Sequence, residues 1–246
     1  MSTSVARPRD ISRSQVLESL EAFFTRFQVL KATQGQALEA IESLLQRFGA
    51  ALPGLEEKRR SWESENAPRF NIFRILRIQR REVKLHSRFL AELLDPLGSH
   101  SQRDKLLSLF WEIAGDSGLR RPTEWPEPSD WAVTTEEVVT EGRLDIVVRC
   151  RGFVTVIENK VDAGEQDEQL GRYADWLEKQ KAEYPEQNLI FLTPDGRPPD
   201  TISTDMCVCL SYCEHIETWL KRAVTKIEAP WLRFAIEQYL QIVQSF

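Results

Sequence analysis

Three segments near the middle of the chain are rich in the β-branched residues that favour extended strands. Residues 131–141, "WAVTTEEVVTE", lead into residues 142–150, "GRLDIVVRC", and after a short "RGF" turn the chain returns as residues 154–161, "VTVIENKV". Two β-rich runs joined by a tight polar turn predict a β-hairpin. The apolar runs at residues 188–193 and 206–212 predict two further strands.

Helical periodicity fills most of the remaining chain. Apolar residues recur at intervals of three and four residues, which predicts helices, over 11–50, 70–94, 102–114, 165–183 and 214–244. We expect Gly35 to interrupt the first helix and Pro53-Gly54 to end it, because glycine and proline disfavour helix interiors. The charged residues 56–68 then predict a linker.

The order of these elements indicates an α/β fold, in which helices flank a mixed β-sheet. We predict an N-terminal helical extension over residues 1–60 and an α/β domain over residues 61–246. An amphipathic extension buries its apolar face against another surface. For residues 1–60 that surface is either the main domain or a partner, such as a second subunit.

Composition narrows the class of protein. The apolar fraction is 41% and the net charge is −6, so the chain as a whole is not a polyanion binder, although a local basic face is still compatible with nucleic acid. No apolar run approaches the roughly 20 residues that span a bilayer, and we expect no membrane association. The N-terminus is polar and the four cysteines are too few for a disulfide framework, which favours a reduced cytoplasmic setting.

The hairpin brings candidate catalytic side chains together. Glu158 and Lys160 share one face of the second hairpin strand, and in simple register Asp145 of the first strand lies beside them. Two adjacent carboxylates repel unless a cation lies between them, and hard oxygen ligands select Mg²⁺ or Mn²⁺. A neighbouring lysine can position water or stabilise charge on a phosphate oxygen. The set therefore suits metal-assisted hydrolysis of a phosphodiester.

The predicted helix 70–94 adds two candidates. At 100° per residue, Glu82 and His86 lie in the middle of its apolar face, where an unpaired charge costs several kcal/mol. Glu82 therefore needs a partner, and a metal held by Asp145 and Glu158 would be one, whereas Glu92 points elsewhere. His86 is equally compatible with a core histidine. The basic residues of this helix lie on its far side and predict either phosphate contacts remote from the cut or a solvated face: Arg74, Arg77, Arg81, Lys84 and Arg88.

These motifs resemble the PD-(D/E)XK nuclease superfamily. "GRLDIVV" followed by "IENK" is similar to its acidic strand residue and E-x-K element, and "QLGRY" is similar to the Q-x-x-x-Y element of RecB-like members. "HSRFLAELLDPLGSH" and "FLTPDGRPP" resemble an uncharacterised bacterial branch of that superfamily. The resemblance covers about residues 75–225. The proline of the "PD" is absent, and Gly142-Arg143-Leu144 precedes Asp145 instead.

The resemblance implies a restriction-endonuclease-like core and a divalent-metal nuclease that acts on DNA in preference to RNA, with a role in bacterial defence against phage. It implies that Glu82 or His86 joins Asp145 and Glu158 at the metal. It further implies that Gln169 contacts Lys160 or the attacking water, while Tyr173 contacts a phosphate. Three glutamates before the acidic strand stay open as additional site residues: Glu136, Glu137 and Glu141. The alternatives are an inactive nuclease-fold module that binds nucleic acid or protein, and a toxin-like effector whose nuclease activity is inhibited by the N-terminal helices or by a partner.

Overall fold

The computed structural model describes residues 13–67, 69–162, 164 and 168–246. The chain divides into two units, Met1–Arg69 and Phe70–Phe246. The second unit begins later than the domain boundary expected at residues 60 and 61. No helix among the described residues combines the length and the apolar character that crossing a bilayer requires.

The described part of the first unit is a single long helix, α1, from Arg13 to Asn66. The expected break at Gly35, the end at Pro53-Gly54 and the linker at 56–68 are therefore wrong as far as the structure describes them. Proline removes one backbone donor and crowds the preceding turn, which weakens a helix without excluding it. Several residues after Pro53 are strong helix formers. Arg59 and Glu63, one turn apart, also form an ion pair that stabilises the helix.

The predicted helix 70–94 is divided into three pieces. Helix α2 covers Ile72–Ile75, a one-and-a-half-turn π-helical segment that we name π1 covers Glu82–Ser87, and helix α3 covers Arg88–Leu94. Between α2 and π1 the backbone turns sharply, with Arg77 in the left-handed region at φ 55°. A hydrophobic pattern reports only which side chains are buried, so it did not reveal that the backbone leaves the helix here.

A mixed sheet lies at the centre of the second unit, as predicted. Its strands, within the described residues, are β1 Ala132–Val139, β2 Gly142–Cys150, β3 Phe153–Asn159, β4 Glu186–Thr193 and β5 Val208–Ser211. They lie in chain order; β1, β2 and β3 are antiparallel, whereas β3, β4 and β5 are parallel. Gly152, at φ 74°, permits the tight turn between β2 and β3.

Helices cover both faces of the sheet. The remaining helices are α4 Lys105–Ala114, α5 Gln169–Lys179, α6 Glu217–Lys226 and α7 Pro230–Val243, and a second π-helical segment, π2, covers Tyr212–Ile216. Helix α5 packs on one face, whereas α3, α4, α6 and α7 pack on the other. The helix expected over residues 165–183 is shorter than predicted, and residues 165–167 lie outside the described part.

Large aromatic side chains fill the thicker layer of the core. Trp111, Phe153 and Trp219 are fully buried, and Trp219 donates a hydrogen bond from Nε1 to Leu106 O at 2.9 Å. Burying apolar side chains of this size stabilises a fold by about 2–3 kcal/mol each. This layer packs on one face of the β2–β3 hairpin, and α5 packs on the other face over Leu144, Val147, Val154 and Val156.

Candidate active site

Asp145 and Glu158 lie at the open end of the β2–β3 hairpin. The last residue pair of the register joins Ile146 and Ile157, and Asp145 and Glu158 are the next residues of the two strands. The backbone N–H of Asn159 donates to Asp145 Oδ2 at 3.0 Å and fixes that carboxylate. Both carboxyl side chains are buried, Asp145 with 8% and Glu158 with 1% of its surface exposed. The charge of Asp145 acts on Glu158, and the role of the two acids as a site pair stays a prediction.

Lys160 completes a compact charged group. Its backbone N–H donates to Leu192 O at 2.9 Å, which extends the β3–β4 ladder one residue beyond β3. Its Nζ lies 2.8 Å from Glu158 Oε1. The ammonium therefore neutralises part of the charge and occupies Oε1. The second oxygen, Oε2, has no hydrogen-bond partner in the described residues.

Burial governs the protonation of this group. Burial, together with the nearby Asp145 carboxylate, raises the pKa of Glu158 to about 8. Burial also raises the pKa of Asp145, although the Asn159 amide and Lys160 oppose the shift. Burial disfavours the ammonium of Lys160, but Glu158, Asp145 and Glu82 together outweigh it and raise its pKa. The site therefore carries a lysinium next to two carboxyl groups that are costly to ionise together.

Glu82 reaches the same region from the start of π1. Its Oε1 accepts hydrogen bonds from the backbone N–H groups of Val161 at 2.8 Å and Asp162 at 2.9 Å. Its charge acts on Asp145, Glu158 and Lys160. Glu82 thus has the partner that its sequence position demanded, but that partner is the backbone immediately after β3.

His86 lies in the core and is left out of the site. Its Nδ1 is 2.9 Å from Tyr239 Oη and its Nε2 is 3.1 Å from Gln79 O, so both ring nitrogens are engaged. Tyr212 and Phe246 also pack against the ring. Burial lowers the pKa of His86 to about 4, and the ring is neutral at pH 7. The structure thus supports the core alternative and opposes the metal-ligand candidacy.

Gln169 and Tyr173 lie on α5, which packs on the face of the hairpin toward which Glu158 points. The Tyr173 hydroxyl donates to Arg143 O at 2.5 Å and is 2.9 Å from Gln169 Nε2, and 1% of the tyrosine is exposed. Burial raises the pKa of Tyr173 to about 12. In this arrangement the tyrosine anchors β2 two residues before Asp145, so it positions the acid and does not reach outward to a phosphate.

The glutamates left open by the sequence are engaged away from the site. Glu136 pairs with Arg88 and Arg143, at 3.6 and 3.2 Å. Glu137 pairs with Arg149, and Glu141 lies 2.6 Å from Lys179 Nζ. Glu92 accepts hydrogen bonds from Ser99. Their ion pairs and hydrogen bonds direct all four carboxylates elsewhere.

The basic residues are distributed differently from the prediction. Since the chain is not helical between α2 and π1, Arg80 and Arg81 lie next to Glu82 instead of on the far side of a helix. A surface cavity of about 400 Å³ is lined by Arg80, Arg81, Glu82, Val83, Lys84 and Asp162. Arg80 lies 2.8 Å from Asp162 in a half-exposed ion pair. Positive charge therefore adjoins the candidate site.

Sequence reasoning missed the role of Asn159. Its Nδ2 donates to Ser87 Oγ at 3.1 Å, and its Oδ1 accepts from the Tyr212 hydroxyl at 2.7 Å, both in the core. The residue joins π1, β3 and π2 and orients the strand from behind, while Glu158 and Lys160 face the opposite way. A buried amide between two charged residues of one strand was the available signal, since such an amide requires partners.

Asp145 and Glu158 are two buried carboxylates, and carboxylate oxygens are the preferred ligands of a hard divalent cation. Glu158 Oε1 pairs with Lys160, whereas Glu158 Oε2 has no hydrogen-bond partner in the described residues. A buried oxygen of this kind is costly unless something binds it. Among the described residues no three His, Cys, Asp or Glu side chains are gathered closely enough to hold a metal by themselves, so water or substrate oxygens would complete the shell.

Comparison with known protein families matches residues 70–243 to the PD-(D/E)XK nuclease superfamily. The match spans most of the chain and the whole region that contains the sheet and the site. The chain therefore belongs to the PD-(D/E)XK nuclease superfamily. No curated protein and no solved structure matches the chain.

Proposed function

We propose that this protein is a deoxyribonuclease that hydrolyses phosphodiester bonds with Mg²⁺ or Mn²⁺. The observation that carries the proposal is Glu158, which is buried beside Asp145 with Oε1 paired to Lys160 and with no hydrogen-bond partner for Oε2 in the described residues. A structural ion pair would not require a second buried carboxylate beside it, since that arrangement raises the cost of ionising both. A site that receives a cation accounts for all three groups.

Each residue then has a defined role. Asp145 and Glu158 would hold the cation, which would supply Lewis acidity and a bound water of lowered pKa. Lys160 places its ammonium where negative charge develops on the phosphate, which stabilises the transition state. Glu82 would add negative charge near the cation, and it holds the chain after β3. Gln169 and Tyr173 hold β2 in place.

The cavity beside Glu82 supports a nucleic-acid substrate. Arg80, Arg81 and Lys84 line it, and a phosphate backbone binds clustered cationic side chains. The remainder of the chain carries excess negative charge, so phosphate contacts concentrate at this point. We propose DNA as the substrate, and an RNA of the same sequence serves as the comparison.

We also propose that the protein works in the bacterial cytoplasm against foreign DNA, such as that of phage. The four cysteines are all free thiols, which suits a reducing compartment. Phage plating on cells that carry the wild-type or the Asp145→Ala protein tests this role. We expect the wild type to protect the cells and Asp145→Ala to give no protection.

Plasmid cleavage tests the activity. We expect Mg²⁺- or Mn²⁺-dependent degradation by the wild type and none in EDTA, with a loss of at least about 100-fold in Lys160→Ala, as for removal of one stabilising charge. Asp145→Ala should also abolish cleavage. Lys181→Ala is the matched control, because Lys181 is an exposed lysine that pairs with Glu178. Unchanged cleavage by Lys160→Ala and Asp145→Ala would remove the proposed site, and DNA binding without cleavage by the wild type would favour an inactive binding module.

A further inference from the structure

Exposed apolar side chains on α1 recur with a seven-residue period. One series is Phe24, Leu38, Leu45 and Leu52. A second series lies three residues after each position of the first, and consists of Leu20, Phe27, Ile41, Phe48 and Leu55. Each of these side chains has between 40% and 63% of its surface exposed. The two series occupy the a and d positions of a heptad repeat, which is the sequence signature of a coiled coil.

The repeat is bordered differently on its two sides. Glutamate occupies four of the e positions, at Glu21, Glu42, Glu56 and Glu63, whereas apolar residues such as Phe23 and Leu44 occupy g positions. The apolar stripe is therefore widened on one side and bounded by acidic residues on the other. Exposed apolar area on this scale is typical of an interface. The acidic border disfavours nucleic acid as the occupant, because phosphates and glutamates repel.

The composition of α1 requires that the helix be stabilised by packing. Pro53 lies inside the helix, and Gly35, Gly49 and Gly54 are also within its bounds. In helix interiors proline costs about 3 kcal/mol and each glycine about 1 kcal/mol relative to alanine. A helix with these penalties does not gain enough from its own hydrogen bonds, since most helical stability in proteins comes from packing of an apolar face. Burial of the a and d series would supply that stabilisation.

We propose that α1 pairs with α1 of a second copy of this chain in a parallel, in-register coiled coil. The helix has 54 residues, so it is ~80 Å long and offers a correspondingly long seam. The charges select the parallel orientation, because antiparallel helices place e positions opposite each other, which would bring glutamates together. In the parallel arrangement e positions lie beside g positions, and Lys58 at g meets Glu63 at e of the second copy.

Lys31 supplies a further reason for two identical helices in register. It is an exposed residue at an a position, and the other a residues from Phe24 to Leu52 are apolar. A polar residue at an a position specifies register and oligomeric state at a cost in stability. In register, each Lys31 lies level with its counterpart and can extend to solvent, whereas a shift of one heptad would set it against Phe24 or Leu38.

The mass of the full chain in solution tests the proposal. We expect light scattering during size-exclusion chromatography to give twice the 28.5 kDa of one chain. The double variant Ile41→Glu/Leu45→Glu should give the mass of one chain, because it places charges in the seam. The matched control Ser43→Glu/Gln46→Glu adds the same charges on the outer face and should remain a dimer. Both variants should retain the thermal transition of the Phe70–Phe246 unit.

A mass of one chain for the wild type, or of three or more chains, would overturn the dimer, as would a seam variant that keeps the wild-type mass. Orientation has a separate test in the Cys213→Ser background, which removes the exposed thiol. Leu20→Cys should form a disulfide-linked dimer on mild oxidation, and the Cys213→Ser protein alone should not. A dimer that fails to cross-link would overturn the parallel arrangement. The inference holds whether or not the chain cleaves DNA.

Discussion

At Glu158, burial and the neighbouring Asp145 carboxylate act in the same direction on the pKa, and Lys160 opposes them. The balance leaves a carboxyl group with a pKa of about 8 in the folded chain. An unfolded glutamate titrates near 4.3. A group that binds its proton more tightly when folded makes stability fall as pH rises between the two values.

The free energy of unfolding, measured with denaturant in EDTA, should therefore decrease between pH 6.5 and 8. The expected decrease is on the order of 1 kcal/mol, since one proton corresponds to about 1.4 kcal/mol per pH unit. His86 does not obscure this window, because its pKa of about 4 lies below the ordinary value, so it lowers stability only as pH falls below about 6.5. Glu158→Gln should flatten the curve, and an equal slope in both proteins would contradict the raised pKa.

Single residues differ in how far the sequence revealed them. The site pairing of Asp145 with Glu158 was predictable because side chains alternate along a strand and the hairpin turn is short. The core environment of His86 was not predictable, because its two hydrogen bonds depend on Tyr239 and Gln79, and Tyr239 is 153 residues away in the chain. A pattern on one element cannot distinguish a buried ligand from a buried histidine that neighbouring elements satisfy.

Glu82 joins π1 to the segment that follows β3. Its Oε1 accepts from two successive backbone N–H groups, of Val161 and Asp162. Hydrogen bonds to an ionised acceptor are stronger than neutral ones. The contact therefore holds the end of the E-x-K strand while it adds charge to the site, and two substitutions separate these effects.

We expect Glu82→Gln to keep the Val161 and Asp162 amides protected in hydrogen-exchange measurements, because glutamine also accepts hydrogen bonds. It should nevertheless weaken Mn²⁺ binding, measured by calorimetry, by about 10-fold or more, because a negative charge is lost. Glu82→Ala should weaken binding and also accelerate exchange at both amides. Equal Mn²⁺ affinity in wild type and Glu82→Gln would remove Glu82 from the metal site, and unchanged exchange in Glu82→Ala would show that the contact does not hold the segment.

Elements were predictable where burial follows a single period. The strands of the sheet and the mixed character of the fold came from alternating and continuous apolar runs, and both are confirmed. The prediction of one helix over 70–94 was wrong at its break. Apolar residues on each side of the break keep a helical period, but the break itself depends on the backbone geometry at Arg77. The predicted end of the first helix at Pro53-Gly54 was wrong because the helix continues through Pro53, which lies within α1.

At the scale of the whole molecule, the candidate site lies where separate parts of the Phe70–Phe246 unit meet. Segment π1 contributes Glu82, the hairpin contributes Asp145 and Glu158, and helix α5 supports the hairpin from one face. The opposite face is held by Asn159 through Ser87 and Tyr212. The chain has a net charge of −6, so any attraction for phosphate is local, at the cationic side chains of the cavity beside Glu82. Binding of a nucleic-acid substrate should therefore be strongly salt dependent.

The central claim is that Asp145 and Glu158 hold a hard divalent cation beside Lys160, and anomalous diffraction from Mn²⁺-soaked crystals tests it directly. We predict a manganese peak within about 2.0–2.4 Å of oxygens from both carboxylates, as expected for hard-metal coordination, and no such peak in crystals of Asp145→Asn. Well-ordered crystals saturated with Mn²⁺ that show no peak between these two side chains, or show one only elsewhere, would contradict the account.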